Sequence, residues 1–414
     1  MKVKGMPSAK RTDSLSVWSP LDFPHFRLLW FGMSLSTTAF WMQNIAVTWL
    51  MREWTGGDAV MISLVQTALF LPVVLLSLVA GALSDLFDRR RFLMFSQLWM
   101  MSAPLAVAVL VLISIQSPMA LLATTVLLAV GNAMKLPSQA AYVPSLVDKE
   151  HLPFAIGLNS MAVNGGRILG PALAGGLLPL IGGVALFIGN SAIYLIYVLI
   201  LTRLPNALKK PDPGQRSFTR SMRELFTYAG RTKPYRTILW RGGLYYCVWS
   251  TILVIVPLIA ADAREFGFLY GIFGAGAIFG ASFYGSLSRI ASRSMSLNIG
   301  IGLHALCIGA LAVADGLPAL SVLMALIGVC SFFVMTTLQV SIQLQLPDEL
   351  RGRALALMTT VFMAGTALSS PVWGVLVDLL DSRRVLFGAA VFSLTCVVLF
   401  YKTKVDPPEP ATHV

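Results

Sequence analysis

Apolar runs of about twenty to thirty residues, separated by short polar and basic connections, recur from one end of the chain to the other. They lie near 26–50, 60–84, 92–114, 119–142, 153–180, 183–204, 238–261, 266–288, 295–314, 318–346, 352–379 and 384–401. A helix needs about 20 residues to cross a hydrocarbon layer of roughly 30 Å, so each run is long enough to span. Spanning strands would instead alternate apolar and polar positions over segments of about 10 residues, and these runs are continuous. The pattern predicts an all-α membrane protein of twelve transmembrane helices.

The polar interruptions divide the chain further. Residues 1–25 form a polar tail, 26–204 a first set of six spans, 205–236 a linker rich in Lys, Arg and Pro ("KKPDPGQR"), 237–401 a second set of six, and 402–414 a second tail. In the linker, Phe218, Met222, Leu225 and Phe226 recur at helical spacing while Arg216, Arg220 and Arg223 fall elsewhere on the wheel. That suits a helix on the membrane surface and equally a solvated basic linker. The halves echo each other. "PSLVDKEHLPFAIGLNSM" leads into the fifth span as "QLQLPDELRGRALALMTT" leads into the eleventh, and Pro171 falls opposite Pro371 at an offset of 200. "GALSDLFDRRRF" after span two has its counterpart in "GSLSRIASRSMS" after span eight. Two parallel six-helix repeats, with a site at their interface, are expected to work by alternating access.

Charge orients the chain. With the N-terminus inside, Lys2, Lys4, Lys10, Arg11, Arg89 to Arg91, the 203–236 segment, Arg289, Arg293, Arg351, Arg353, Lys402 and Lys404 become cytoplasmic, whereas Arg52, Arg264, Arg383 and Arg384 fall outside. The net charge of +12 is therefore a topology signal with affinity for anionic headgroups, and no nucleic-acid partner is expected. Residues are 56% hydrophobic and 12% charged, far from a soluble domain. The first twenty-five residues lack the apolar core of a secretory signal, so the first span is expected to insert uncleaved. Cys247, Cys307, Cys330 and Cys396 sit inside spans without C-x-x-C spacing and read as packing residues.

Gly81, Leu83, Asp85, Arg89 and Arg90 match the loop motif Gly-x-Leu-x-Asp-Arg-x-Gly-Arg-Arg, from which Leu86 and Asp88 depart. Gly157, Gly166, Gly170, Pro171 and Gly175 match an antiporter motif in span five, with Ala174 replacing one Gly. "RGRA" at Arg351 to Ala354 and "FGFLYGIFGAGAIFGA" from Phe266 to Ala281 add to the likeness. Over nearly its whole length the chain resembles the major facilitator superfamily, and within it the exporters of the enterobactin-exporter type. The resemblance implies the two-bundle fold, export and proton antiport.

Each motif has a physical reading. Asp85, with Gly81, Arg89 and Arg90, is placed for a cytoplasmic latch: its carboxylate suits the N-terminus of span eleven, where free N–H groups and the helix dipole favour an anion. Arg89 and Arg90 are expected to add charge-assisted bonds across that seam. Arg89 to Arg91 equally form a positive-inside stop. Gly166, Gly170 and Ala174 recur every four residues and offer a smooth stripe to another helix, while Pro171 permits a bend.

Arg167 lies about fourteen residues into span five, ~21 Å at ~1.5 Å per residue, where a charge needs water or a partner. It reads either as an anion-recognising cavity residue or as a structural Arg tied to carbonyls at the Pro171 bend. Asn164, one turn earlier, shares its face. Gln43 and Asn44 in span one, Tyr245, Tyr246 and Trp249 in span seven, His304 in span nine, and Gln339 and Gln343 in span ten are further cavity candidates, each also suited to interhelix hydrogen bonding. Trp49, Trp54 and Trp99 suit an interfacial belt.

No span carries a carboxylate near its middle: Asp378 is near an outer end, and Asp262 and Glu265 lie in an outer loop. His304 could titrate near neutrality, but the proton carrier is not located. His25, His151, His304 and His413 form no metal or triad spacing, and no Walker loop exists. The expectation is a monomeric secondary exporter of a small organic compound, siderophore- or drug-like, in the bacterial inner membrane, both termini cytoplasmic. It would take no cofactor or metal and use protons as coupling ion. An importer of a small polar metabolite and a non-transporting receptor or scaffold are the alternatives.

Overall fold

The computed structural model describes residues 16–206, 230, 232–287, 292–345, 348–403 and 405. The linker positions from Arg216 to Phe226 and the side chain of Asp85 lie outside the described residues. The helices are α1 (Pro24–Thr55), α2 (Ala59–Leu86), α3 (Arg89–Leu112), α4 (Pro118–Tyr142), α5 (152–181), α6 (183–202), α7 (Lys233–Ile259), α8 (Ala263–Leu287), α9 (Arg293–Leu311), α10 (Leu317–Gln345), α11 (Asp348–Leu380) and α12 (Ser382–Phe400).

Their ends follow local chemistry. Asp58 accepts from Met61 N at 2.8 Å to cap α2, Asp88 accepts from Arg91 N at 2.9 Å to cap α3, and Asp381 caps α12 at Arg384 N, 2.9 Å. Each carboxylate satisfies an N–H that the first helical turn leaves free. Pro24 and Pro118 open α1 and α4, where a missing N–H costs nothing. Gly56, at φ 64°, ends α1 in the left-handed region. The segment Leu152–Thr202 runs as one helix except at Gly182, whose φ of 76° and ψ of 164° break it into α5 and α6.

Helix pairing repeats between the halves. α2 packs on α4, α3 on α4 and α1 on α5, and the second bundle pairs α8 with α10, α9 with α10 and α7 with α11. The bundles meet along two seams, α2 with α11 and α5 with α8. Ten helices, with Leu152–Thr202 as one, are long and apolar enough to cross a membrane. α1 is the exception because it points Ser36, Gln43, Asn44 and Thr48 into the protein. Those groups are paired: Ser36 donates to Gln97 at 2.9 Å, and Asn44 and Gln66 exchange bonds of 3.3 and 3.1 Å between α1 and α2. Large apolar side chains such as Leu75, Leu180, Phe279, Val322 and Val398 face outward, as a hydrocarbon surrounding requires.

Candidate substrate cavity

The loops at 55–59 and 259–263 mark one face of the molecule, here the far face; the end of α6 and the start of α7 mark the other, the linker face. At the far face the seams are shut. Gly175 of α5 lies directly on Gly267 of α8, and a Cβ on either would fall inside the other's backbone. Gly374 of α11 packs on α2, where an added Cβ would lie 2.8 Å from Ala59 O. Thr67 donates to Ala367 O at 2.7 Å. Arg52 Nη2 donates to Ala260 O at 2.9 Å, with its guanidinium carbon 4.5 Å from the Trp49 ring centre. Trp49 stands 5.3 Å from Phe266 and donates to Glu53 at 2.7 Å. Beneath these contacts is an aromatic layer spanning both bundles: Trp41 to Phe70 at 6.2 Å, Phe70 to Phe362 at 5.6 Å and Phe362 to Tyr246 at 4.4 Å.

From that layer a cavity of about 240 Å³ runs between the bundles toward the linker face. Asn132, Lys135 and Gln139 of α4 and Asn159, Ser160, Asn164 and Arg167 of α5 form one wall. Tyr246, Gln339, Gln343, Met358 and Phe362 form the other, and Thr37, Phe40 and Trp41 of α1 complete it. A wider hollow of about 670 Å³, bordered by Asp262, Arg264 and Glu265, is an open surface groove beside the α5–α8 contact and lies off the path between the bundles.

Two cations reach the cavity. The Arg167 guanidinium carbon sits 5.3 Å from the Trp41 ring centre and 5.1 Å from that of Phe362, within cation–π range of one ring from each bundle. Its Nη1 donates to Met335 Sδ at 3.3 Å, and its buried Nε has no partner among the described residues. No carbonyl at the Pro171 bend holds it. Lys135 is 2% exposed, with Nζ 6.0 Å from the Phe40 ring centre and no hydrogen bond or ion pair to a described residue. The sequence carried a signal for Lys135, a lysine inside an apolar span, by the same test that singled out Arg167.

Asn164, Arg167, Tyr246, Gln339 and Gln343 thus share one cavity. The other candidates stand elsewhere. Gln43 accepts from Asn190 of α6 at 2.9 Å, and Asn44 serves the α1–α2 pair. Tyr245 points into the second bundle, 5.0 Å from the fully buried His304, whose two nitrogens have no partner among the described residues. Trp249 packs on Phe362 at 5.9 Å without lining the opening. Adjacent helix residues project about 100° apart, and here Tyr246 takes the side toward the cavity while Tyr245 takes the side toward His304.

The span-five motif is divided between partners. A Cβ on Gly170 would lie 2.6 Å from Trp41 Cβ and one on Gly166 2.8 Å from Thr37 Cγ2, so both pack on α1 within the first bundle, whereas Gly175 meets α8. Gly157 has nothing within 4 Å. In the expected latch, Arg89 donates to Ala141 O at 2.7 Å and Arg90 to Thr202 O at 2.8 Å and Asn206 Oδ1 at 2.9 Å. Both turn into their own bundle instead of crossing the seam, because helix-end carbonyls at Ala141 and Thr202 lie within reach. Gly81 has open space around it.

Residues 15–413 match the family model described as transmembrane secretion effector, and the chain belongs to that family of major facilitator transporters. It is 24% identical over 362 residues to the enterobactin exporter EntS of Salmonella typhimurium, covering 85% of each chain. It is 28% identical over 179 residues to the staphyloferrin A transporter of Staphylococcus aureus, covering 42% of this chain and 45% of that one. The macrolide efflux protein A of Streptococcus pyogenes is 26% identical over 57% of this chain and 59% of its own. Among solved structures the nucleoside transporter NupG superposes with a TM-score of 0.72 at 14% identity, over 92% of this chain and 100% of that one. A bacterial homologue of the iron transporter ferroportin, inward-facing, gives 0.68 at 15% identity over 92% and 99%. The chain is a multi-pass membrane transporter of small molecules, not an enzyme, and its relatives include efflux-type proteins.

Proposed function

We propose that this transporter exports a small organic compound, siderophore- or drug-like, across the bacterial inner membrane by alternating access, with the linker face and both termini cytoplasmic. One observation carries the reading: a polar cavity at the seam, shut at the far face by Gly175 on Gly267 and Thr67 on Ala367, and extending toward the linker face. A carrier in this state takes cargo from the linker side. Export then requires the seam to close at Gln139, Asn159 and Gln343 and to part at Gly175 and Gly267. The span-five motif and the efflux relatives support the outward direction, and the family likeness supports proton antiport. The test is accumulation of enterobactin, staphyloferrin A and a macrolide by energised everted vesicles. Export predicts accumulation of at least one, abolished by an uncoupler. Uptake by right-side-out vesicles instead would establish an importer.

A further inference from the structure

We infer that the cavity's ligand is an organic anion with a flat unsaturated body, its charge held between Lys135 and Arg167. The inference rests on the reading of this cavity as the transport site and names the class of compound it takes. Lys135, on α4, is almost wholly buried, and no described acceptor meets its ammonium. Arg167, on α5, spends one Nη on a thioether sulfur and leaves Nε without a partner. Ring faces of Phe40, Trp41 and Phe362 attract a cation but do not neutralise it.

A buried cation without a counter-charge is strongly unfavourable, and among the described residues bordering the cavity none is an aspartate or glutamate. No described residue supplies the missing partner, and a ligand entering the cavity can. Arg167 can give a carboxylate or similar oxyanion a planar fork of donors, and Lys135 a second, compact charge. The rings that flank Arg167 offer stacking surface to a flat ligand body, and the amides of Asn164, Gln339 and Gln343 offer adaptable hydrogen bonds to its edge. A neutral compound of the same outline would leave both cations as they are, so the site discriminates by charge.

Charge-selective thiol modification tests this without any transport. With Cys247, Cys307, Cys330 and Cys396 replaced by Ala, Asn164→Cys places a reporter one turn from Arg167. Its reaction rate is measured with an anionic methanethiosulfonate, sulfonatoethyl, and a cationic one, trimethylammonioethyl, each divided by its rate with a free thiol. The expected result is a normalised preference of about tenfold for the anion. It should fall severalfold in Lys135→Met and in Arg167→Gln and approach unity in the double variant. A cationic reagent that reacts as fast or faster, or a preference unmoved in a folded double variant, overturns the inference. If the double variant does not fold, the reagent pair on the charged protein decides alone. Anion preference without accumulation in everted vesicles would sink the export reading and leave the anion site standing.

Discussion

Gly175 and Gly267 lie face to face, backbone on backbone, where the two bundles meet at the far face. Neither position tolerates a Cβ in this state, so the pair sets how closely α5 and α8 approach. Gly267→Leu should therefore act on the conformational equilibrium. Overpacking costs about 1–3 kcal/mol, a shift of about 5- to 150-fold away from the far-face-closed state. Electron–electron resonance between spin labels at Gly57 and Asp262 should report a longer distance, with little change in thermal stability.

Gly170→Leu differs in kind. Its new side chain would meet Trp41 Cβ, Met42 N and Thr38 O of α1 within the same bundle, at 2.6 to 2.8 Å from the first added carbon. The contact lies within one bundle, and a bundle that rocks as a rigid body keeps it. The expected outcome is a lowered melting temperature in detergent, with the label distance distribution of folded protein unaltered.

Arg52 ties the first bundle to the Ala260 carbonyl and covers Trp49. A hydrogen bond from a charged group contributes about 1.5–3 kcal/mol, so Arg52→Ala should loosen the far face by about tenfold or more. Arg52→Lys should recover part of the closure, since a single charge replaces the planar fork. Hydrogen exchange at residues 256–262 reads the difference.

Asn190 donates to both Ala39 O, at 3.1 Å, and Gln43 Oε1, at 2.9 Å, and all three positions are buried. Asn190→Leu strands the Gln43 amide oxygen, at about 1–3 kcal/mol, while Ala39 O keeps its bond within α1, and should lower stability without changing ligand charge preference. The double variant with Gln43→Leu should regain part of the loss, because it removes the stranded amide oxygen.

Much of this architecture is legible in the sequence because a membrane span is written locally: about twenty apolar residues, a carboxylate cap such as Asp58 or Asp88, and basic loops on one side. Arg167 is legible for the same reason, a charge where hydrocarbon should be. The rotation of each helix is not. A helix apolar on nearly every side carries little periodicity to say which face turns inward. Gln43 and Tyr245 therefore read as well as Gln339 and Tyr246, although only the second two line the cavity. Contacts between halves are illegible for another reason. Nothing near Gly175 in sequence announces Gly267, and nothing near Arg89 and Arg90 announces the carbonyls of Ala141 and Thr202.

The central claim is that the cavity communicates with the linker face and is sealed from the far face. Gln343→Cys, in the cysteine-free background and in sealed membrane vesicles of known orientation, tests it most directly with a charged, impermeant maleimide. Without ligand, labelling should be rapid when the reagent is on the linker side and at least tenfold slower from the far side. Gly267→Leu should narrow that ratio. Equal labelling from both sides, or faster labelling from the far side, would contradict the account.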